Sequence, residues 1–328
     1  MNTVSINTLK DTIKKLKRSP KIGQIYELYR SEHDILIKEK TIQHQKALWC
    51  KHLSQLDNFR ADNLTPLEFQ HLVLNNLYQE EKFNTAENLT RMIVTMLDFA
   101  VATTIIKENP LKTVYNLPMV KLIHKKAVKN CVHRASFNHL SINTDLKKLV
   151  QVFKEKTTEH RIYLLHISLA LLLRPGEIVK IKINNLDESK QLLKVQDTKT
   201  LDNFLIPLNE SMIVLLKRIY EKYGNQEKGY IFRGHRYSDY LSPQTLNVAL
   251  KKLGYKGILC AHGIRSIGSN FFAHHAKEVP PYVREAILQH AVGKVEKAYR
   301  RDDSYLKQRR KAMELWYEYL DNLFSQNS

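Results

Sequence analysis

Cysteine is scarce in this chain. Of 328 residues only Cys50, Cys131 and Cys260 are cysteine, and they stand too far apart for a disulfide framework or a zinc pattern. A reducing cytosol fits that usage. Long apolar runs are also missing: the longest, Ile162 to Leu173 ("IYLLHISLALLL"), is too short to span a bilayer and contains His166, so it reads as a core helix. The N-terminus, "MNTVSINTLKDTIKKLKRSP", has no uninterrupted apolar region after a basic start, and no secretory signal is visible in it. Acidic residues are in deficit. The 33 Asp and Glu face 52 Lys and Arg, a net charge of +19 with a pI near 9.6. Such a field favours a polyanion over a neutral metabolite and makes nucleic acid the default partner, not a membrane. With 43% hydrophobic residues and modest Gly and Pro, the chain is globular, buries substantial cores and divides into two domains.

Several catalytic motifs are absent as well. There is no glycine-rich phosphate loop, no GxSxG elbow and no HExxH or CxxC pair. A two-metal nuclease needs carboxylates converging on its metals, whereas the acidic residues here lie singly among basic ones. A metal-free mechanism is expected.

Residues 1–20 form a short extension, and residues 21–111 read as a helical bundle. Helices are expected near Ile22 to Tyr29 and over Ile42 to Leu56. Thr65-Pro66-Leu67-Glu68 supplies the N-cap, N1 proline and N3 glutamate of a capping box, opening a helix with Phe69, Leu72, Leu74 and Leu77 mostly on one face. Another helix, starting near Thr85 and carrying Leu89, Ile93, Met96 and Phe99, should stop at Asn109-Pro110, since the residue before proline avoids the helical region. Residues 112–140 read as a basic interdomain linker, because Lys112 to Arg134 holds five lysines, one arginine and no acidic residue. Either it is simply solvated, or it is a strap laid along DNA phosphates by Lys125, Lys126 and Lys129. Residues 141–328 mix helix with a few strands. "QLLKVQDTKTLDNFLIPLNE" is a β-hairpin signal, and Ser242-Pro243 opens a helix that Gly254 closes.

What remains are basic residues in places that a solvated surface does not easily explain. Arg174 directly follows the apolar run in "ALLLRPGEIVKI", where Pro175 and Gly176 turn the chain; capping the helix C-terminus is its plain account. His262 and Arg265 lie three apart, on one side of a helical turn. In "LQHAVGKVEKAYRRDDSYL" Tyr299 stands between Lys297 and Arg300-Arg301. One reading is a basic helix face with a half-buried tyrosine, the other a nucleophile held against a phosphate.

Taken in order, the pieces compose one pattern. Arg174 with Glu177, Lys199 in the hairpin turn, His262-x-x-Arg265, His290 and then Tyr299 nine residues on resemble the catalytic set of the tyrosine recombinases, the phage-integrase family. All six family positions, Arg174, Lys199, His262, Arg265, His290 and Tyr299, are matched. "AYRRDDSYLKQRRKAMELWYEYLD" resembles in particular the C-terminal end of prophage and genomic-island integrases. The resemblance implies an α-helical core-binding bundle plus a mixed, mainly α catalytic domain with a small antiparallel β-sheet. Many island integrases begin with an additional domain that binds arm-type DNA sites; only about twenty residues precede the bundle here, so arm-site binding is not carried over.

The implied activity is site-specific recombination. A phenol with a pKa near 10 is about 0.1% ionised at pH 7, so an attacking tyrosinate needs roughly 4 kcal/mol of help from positive neighbours or a base. The resemblance assigns Arg174, Arg265 and His290 to the non-bridging oxygens of the scissile phosphate, Lys199 to protonation of the departing 5′ oxygen and His262 to a base or positioning role. Glu177 would orient Arg174 or His262, or be a surface carboxylate; Lys194, within the first strand of the hairpin, is the rival to Lys199. The product would be a 3′-phosphotyrosyl link, exchanged between strands without ATP, cofactor or metal. Implied partners are double-stranded DNA attachment sites, a homo-tetramer on two duplexes and accessory DNA-bending or directionality proteins, in a bacterial cytoplasm at the nucleoid. The alternatives are relaxation in the manner of a type IB topoisomerase, or a DNA-binding regulator without catalysis. Finally, Met313, Trp316, Tyr317, Leu320, Leu323 and Phe324 lie mostly on one face of a last helix. The resemblance favours docking of that stripe on a neighbouring subunit over burial within its own.

Overall fold

In the computed structural model, the described residues are 20–129, 142–196, 198, 203–235, 237–289 and 305–325. The chain divides into two compact units, residues 1–131 and 132–328. Among the described residues no helix is long and apolar enough to cross a membrane.

The first unit is helical. α1 (Ile22–His33) and α2 (Glu39–Leu48) are followed by a π-helical turn, Trp49–Leu53, that sets the Trp49 ring flat on Tyr26 at 3.7 Å. α3 (Pro66–Phe69) opens on the expected capping box, Thr65 Oγ1 accepting from the Glu68 N–H at 3.2 Å while the Glu68 carboxylate accepts from the Thr65 N–H at 2.8 Å. It continues through a π turn into α4 (Asn75–Gln79). α5 (Phe83–Ala102) buries Phe83, Ala86, Leu89, Thr90, Ile93, Met96, Leu97 and Ala100, the three-and-four spacing of a core-facing helix. It ends earlier than the proline signal implies. Thr104 enters the left-handed region at φ 58°, and Asn109 folds back so that its amide donates to the Val94 carbonyl at 3.1 Å and to Asp98 at 2.7 Å.

The expected linker is corrected over its first half. Residues 118–129 form α6 (Pro118–Lys129), whose Val120, Ile123 and Ala127 are buried in the same core as α5. Its lysine-rich face conceals an apolar one with helical spacing, and a charge count weighs only the former.

The second unit is built around α8 (Glu159–Leu171), preceded by α7 (Ile142–Lys156). Every residue of α8 from Leu164 to Leu171 is buried, so the apolar run is a helix enclosed all round. α9 (Pro175–Ile178) follows at once. The sheet has strand order β1 (Leu186–Asp187), β2 (Leu192–Gln196), β3 (Asn203–Pro207), all antiparallel, with Lys194 opposite Leu205. β2 alternates as a half-buried strand should, Leu193 and Val195 inward and Lys194 outward. Helices α10 (Glu210–Tyr223), α11 (Thr245–Lys252), α12 (Ile264–His274) and α13 (Pro281–Ile287) complete the layer around the core. Gly254 closes α11 with φ +89°, a conformation that favours glycine.

The last helix, α14 (Leu306–Ser325), corrects the expected docking on a neighbour. Met313, Trp316, Tyr317, Leu320 and Leu323 are buried in the core of their own unit. The Trp316 indole donates to the Leu169 carbonyl at 2.8 Å, and Lys154 Nζ reaches the Phe324 carbonyl at 2.7 Å. The stripe is satisfied where it stands.

Candidate active site

The site starts from a break in the chain. α8 ends with Leu172 in the left-handed region, φ 51°, and Arg174 then adopts an extended conformation as the N-cap of α9 with Pro175 behind it. The sequence reading of Arg174 as a C-terminal cap is therefore replaced: it heads the next helical turn. Glu177, three residues on and 8% exposed, accepts from the Arg174 backbone N–H and from its Nη1, both at 3.0 Å. Glu177 thus holds Arg174 from two sides. The same guanidinium reaches Gln289, donating through Nη1 to the side-chain oxygen and through Nη2 to the carbonyl, each at 3.4 Å.

Arg265 comes to the same place from α12. It is 4% exposed, and it donates through Nη1 to the Leu172 carbonyl at 2.6 Å and through Nη2 to the Leu288 carbonyl. The left-handed turn at Leu172 is what offers that carbonyl. Close approach of α12 is needed too, and Gly268, one turn beyond Arg265, provides it: a Cβ there would stand 2.4 Å from the Leu172 side chain. Burial, and then the charge of Arg174, lower the Arg265 pKa to about 10, while Glu177 opposes them. Arg265 remains a cation at neutral pH.

Both arginines therefore converge on Leu288-Gln289, the end of the chain that leads into His290. Gln289 is fully buried and left-handed, φ 50°. Among the described residues, two guanidinium groups beside one carboxylate leave the cluster with excess positive charge in a partly desolvated setting, which suits an anion with several oxygens, such as a phosphate diester. His262 lies in the turn before α12, exposed, with its carbonyl accepting from the Arg265 N–H at 3.4 Å.

The structure thus brings Arg174, Glu177 and Arg265 together, with His262 on the adjoining turn. Lys199, His290 and Tyr299 lie outside the described residues. Lys194, the rival to Lys199, lines a cavity of about 360 Å³ whose wall includes Glu177, Lys180, Lys182, Tyr230 and Tyr240. Sequence reasoning missed Gln289 and Leu172, which hold the arginines by backbone conformation; for Gln289 the one available signal was adjacency to His290 in "ILQH".

Of the lysines expected on DNA phosphates, Lys126 has partners on its own unit. Its Nζ donates to the Tyr78 hydroxyl at 3.2 Å and sits 4.7 and 4.8 Å from the Tyr78 and Phe83 ring centroids. Cation–π attraction and a hydrogen bond keep it on its own unit. Lys125 is exposed on the same helix, and the side chain of Lys129 lies outside the described residues.

Comparison with known proteins agrees with this geometry. Residues 142–304 match the phage integrase family. Prophage integrase IntA of Escherichia coli (strain K12) is 32% identical over 152 residues, 45% of this chain and 36% of that protein. The chain spans about a third of the length of the curated relatives it matches. In fold it is similar to a lambda integrase dimer bound to a COC′ core site, with TM-score 0.62 and 18% identity over 91% of this chain and 82% of that one. A lambda integrase tetramer bound to a Holliday junction gives TM-score 0.61 and 17% identity, over 92% and 82%. By this match residues 142–304, which take in the arginine cluster just described, belong to the phage integrase family, the tyrosine recombinases.

Proposed function

We propose that this protein is a site-specific DNA recombinase of a mobile element, cutting and rejoining DNA through a 3′-phosphotyrosine intermediate. The observation that carries the reading is the convergence of half-buried Arg174 and buried Arg265 on the Leu288-Gln289 backbone, with Glu177 accepting from Arg174. Such a pair is preorganised to take the added charge of a five-coordinate phosphorane-like transition state, and it does so without rearranging when the charge develops. Glu177 is a positioning group that fixes the Arg174 guanidinium.

In this mechanism Tyr299 attacks the scissile phosphorus, the bond to the 5′ oxygen breaks, and Lys199 gives that oxygen its proton. His290 joins the arginines on the non-bridging oxygens, and His262 serves as base or positioning group at the tyrosine. The phosphodiester energy is kept in the tyrosyl link, so the 5′ hydroxyl of a partner strand reverses the step and completes exchange. The first unit acts as the core-binding domain on duplex DNA, the working assembly is a tetramer across two duplexes, and the setting is the cytoplasm at the nucleoid. The net charge of +19 supports a DNA partner, and the relatives' integrase names favour recombination over relaxation or a purely regulatory role.

The test is a trap. Duplexes taken from the ends of the element that carries the gene are nicked so that cleavage releases a short 5′-hydroxyl fragment. A denaturant-resistant protein–DNA adduct is expected on these duplexes and not on unrelated DNA. Binding to the same duplexes without any adduct would sink the reading.

A further inference from the structure

Arg309 is 1% exposed, among the most deeply buried charged side chains described. Filling that space with charge is costly, since an apolar side chain of similar volume would pack there without desolvating a guanidinium. Its contacts show what the charge gains. Among the described residues β3 pairs with β2 on one side only, so its other edge presents carbonyls that need donors. Arg309 Nη1 donates to the Leu205 carbonyl at 2.7 Å, and its guanidinium lies 4.8 Å from the Phe204 ring centroid. The Tyr317 hydroxyl takes the Pro207 carbonyl, two residues on and therefore along the same edge, at 3.0 Å. Arg310 adds the Leu208 and Lys190 carbonyls at 3.3 and 2.9 Å.

These bonds join two stretches that sequence leaves far apart. α14 begins seven residues after Tyr299, and β3 begins four residues after Lys199. Apolar contact alone permits sliding between a helix and a strand edge; a guanidinium donating to one carbonyl with a ring beneath it does not. α14 is also held by Trp316, Tyr317 and Leu320, so removing Arg309 frees the hairpin rather than the helix. We propose that Arg309 is a positioning residue: by clamping the β3 edge it sets the hairpin that carries Lys199 in register with the segment that carries Tyr299. The inference rests on the reading that Lys199 is the general acid and Tyr299 the nucleophile.

The experiment compares two substrates, an ordinary phosphodiester and one with a 5′-bridging sulfur, whose thiolate leaves without protonation. Wild type, Lys199→Ala, Arg309→Met and Arg310→Gln are assayed in single-turnover cleavage, with thermal unfolding followed on each. Arg310 is half-buried, so its variant probes the same clamp where Arg309→Met does not fold. On the ordinary substrate Arg309→Met is expected to lose about 10²-fold, the scale of a small misplacement of a catalytic group, and Arg310→Gln about 10-fold. On the sulfur substrate both losses should largely vanish, as for Lys199→Ala. If Lys199→Ala is rescued while the folded arginine variants are equally slow on both substrates, or unaffected on both, the clamp is structural and the proposal is overturned. If Lys199→Ala is itself not rescued, the general-acid reading fails and the proposal falls with it.

Discussion

Each unit of this protein buries arginine near a helix end, and the two do it differently. In the first unit Arg30 is 5% exposed; it pairs with Asp34 in the next turn, donates to the Gln45 side chain at 2.5 Å and touches the Ile42 carbonyl at 3.5 Å. The charge is matched where it sits. In the second unit the Glu177 carboxylate accepts from Arg174 and acts on Arg265 through its charge, and the two guanidinium groups are further held by the carbonyls of Leu172, Leu288 and Gln289 and the side chain of Gln289. A neutralised arginine stabilises a junction between helices; an under-neutralised pair is a standing demand for an anion. Under the proposed mechanism, the contrast separates a charge kept for folding from charges kept for chemistry.

The largest way to break the comparison is to remove a support of the second unit alone. Deleting residues 312–328 strips Met313, Trp316, Tyr317, Leu320 and Leu323 from its core. At about 2 kcal/mol per buried side chain, that loss rivals the whole stability of a typical domain. Urea unfolding should show the second unit lost and the first still folding; two intact transitions would contradict the packing of α14 on its own unit.

Next come the arginines. Arg174→Ala and Arg265→Ala are each expected to lower single-turnover cleavage by about 10² to 10³-fold, as removal of a preorganised donor does, with much smaller losses in half-site binding by mobility shift. Equal losses in binding and cleavage would make them simple phosphate clamps. Arg30→Met should do the reverse. It leaves half-buried Asp34 with only Lys46, at 3.7 Å, as a cationic partner and should cost about 1 to 3 kcal/mol of first-unit stability, while cleavage per folded molecule stays at the wild-type level.

The smallest effects concern α6. Lys125→Gln is expected to flatten the salt dependence of DNA binding by about one charge. Lys126→Gln should leave that slope alone and instead cost the first unit about 0.5 to 1 kcal/mol, the worth of an exposed cation–π contact. A shared slope change would return both lysines to the DNA.

These expectations also mark where sequence is readable. Periodic or locally chemical features came through: the capping box at Thr65, the all-apolar run of α8, the hairpin and the Gly254 stop. Two boundaries did not. The end of α5 is set by Asn109 reaching back fifteen residues to Val94, a tertiary bond that a proline rule cannot see. α6 passed for a linker because a charge count registers Lys121, Lys125, Lys126 and Lys129 and gives no weight to the buried Val120, Ile123 and Ala127. At the site, Arg174 and Arg265 were legible through order and spacing, but what holds them, a left-handed Leu172 and a buried left-handed Gln289, has no side-chain signature. The last helix was legible as amphipathic, and its partner was not, since an apolar stripe carries no record of whose core it fills.

Strand cleavage in the proposed mechanism turns on one group, the Tyr299 hydroxyl. The direct measurement is the nicked-duplex trap run on wild type and Tyr299→Phe side by side, with the adduct digested and the modified peptide sequenced. Wild type is expected to yield a phosphotyrosyl peptide spanning residue 299, and Tyr299→Phe to bind the duplex nearly as well while forming no adduct. An adduct surviving in Tyr299→Phe, or a wild-type linkage mapped to Tyr282 or Tyr305, would contradict the mechanism.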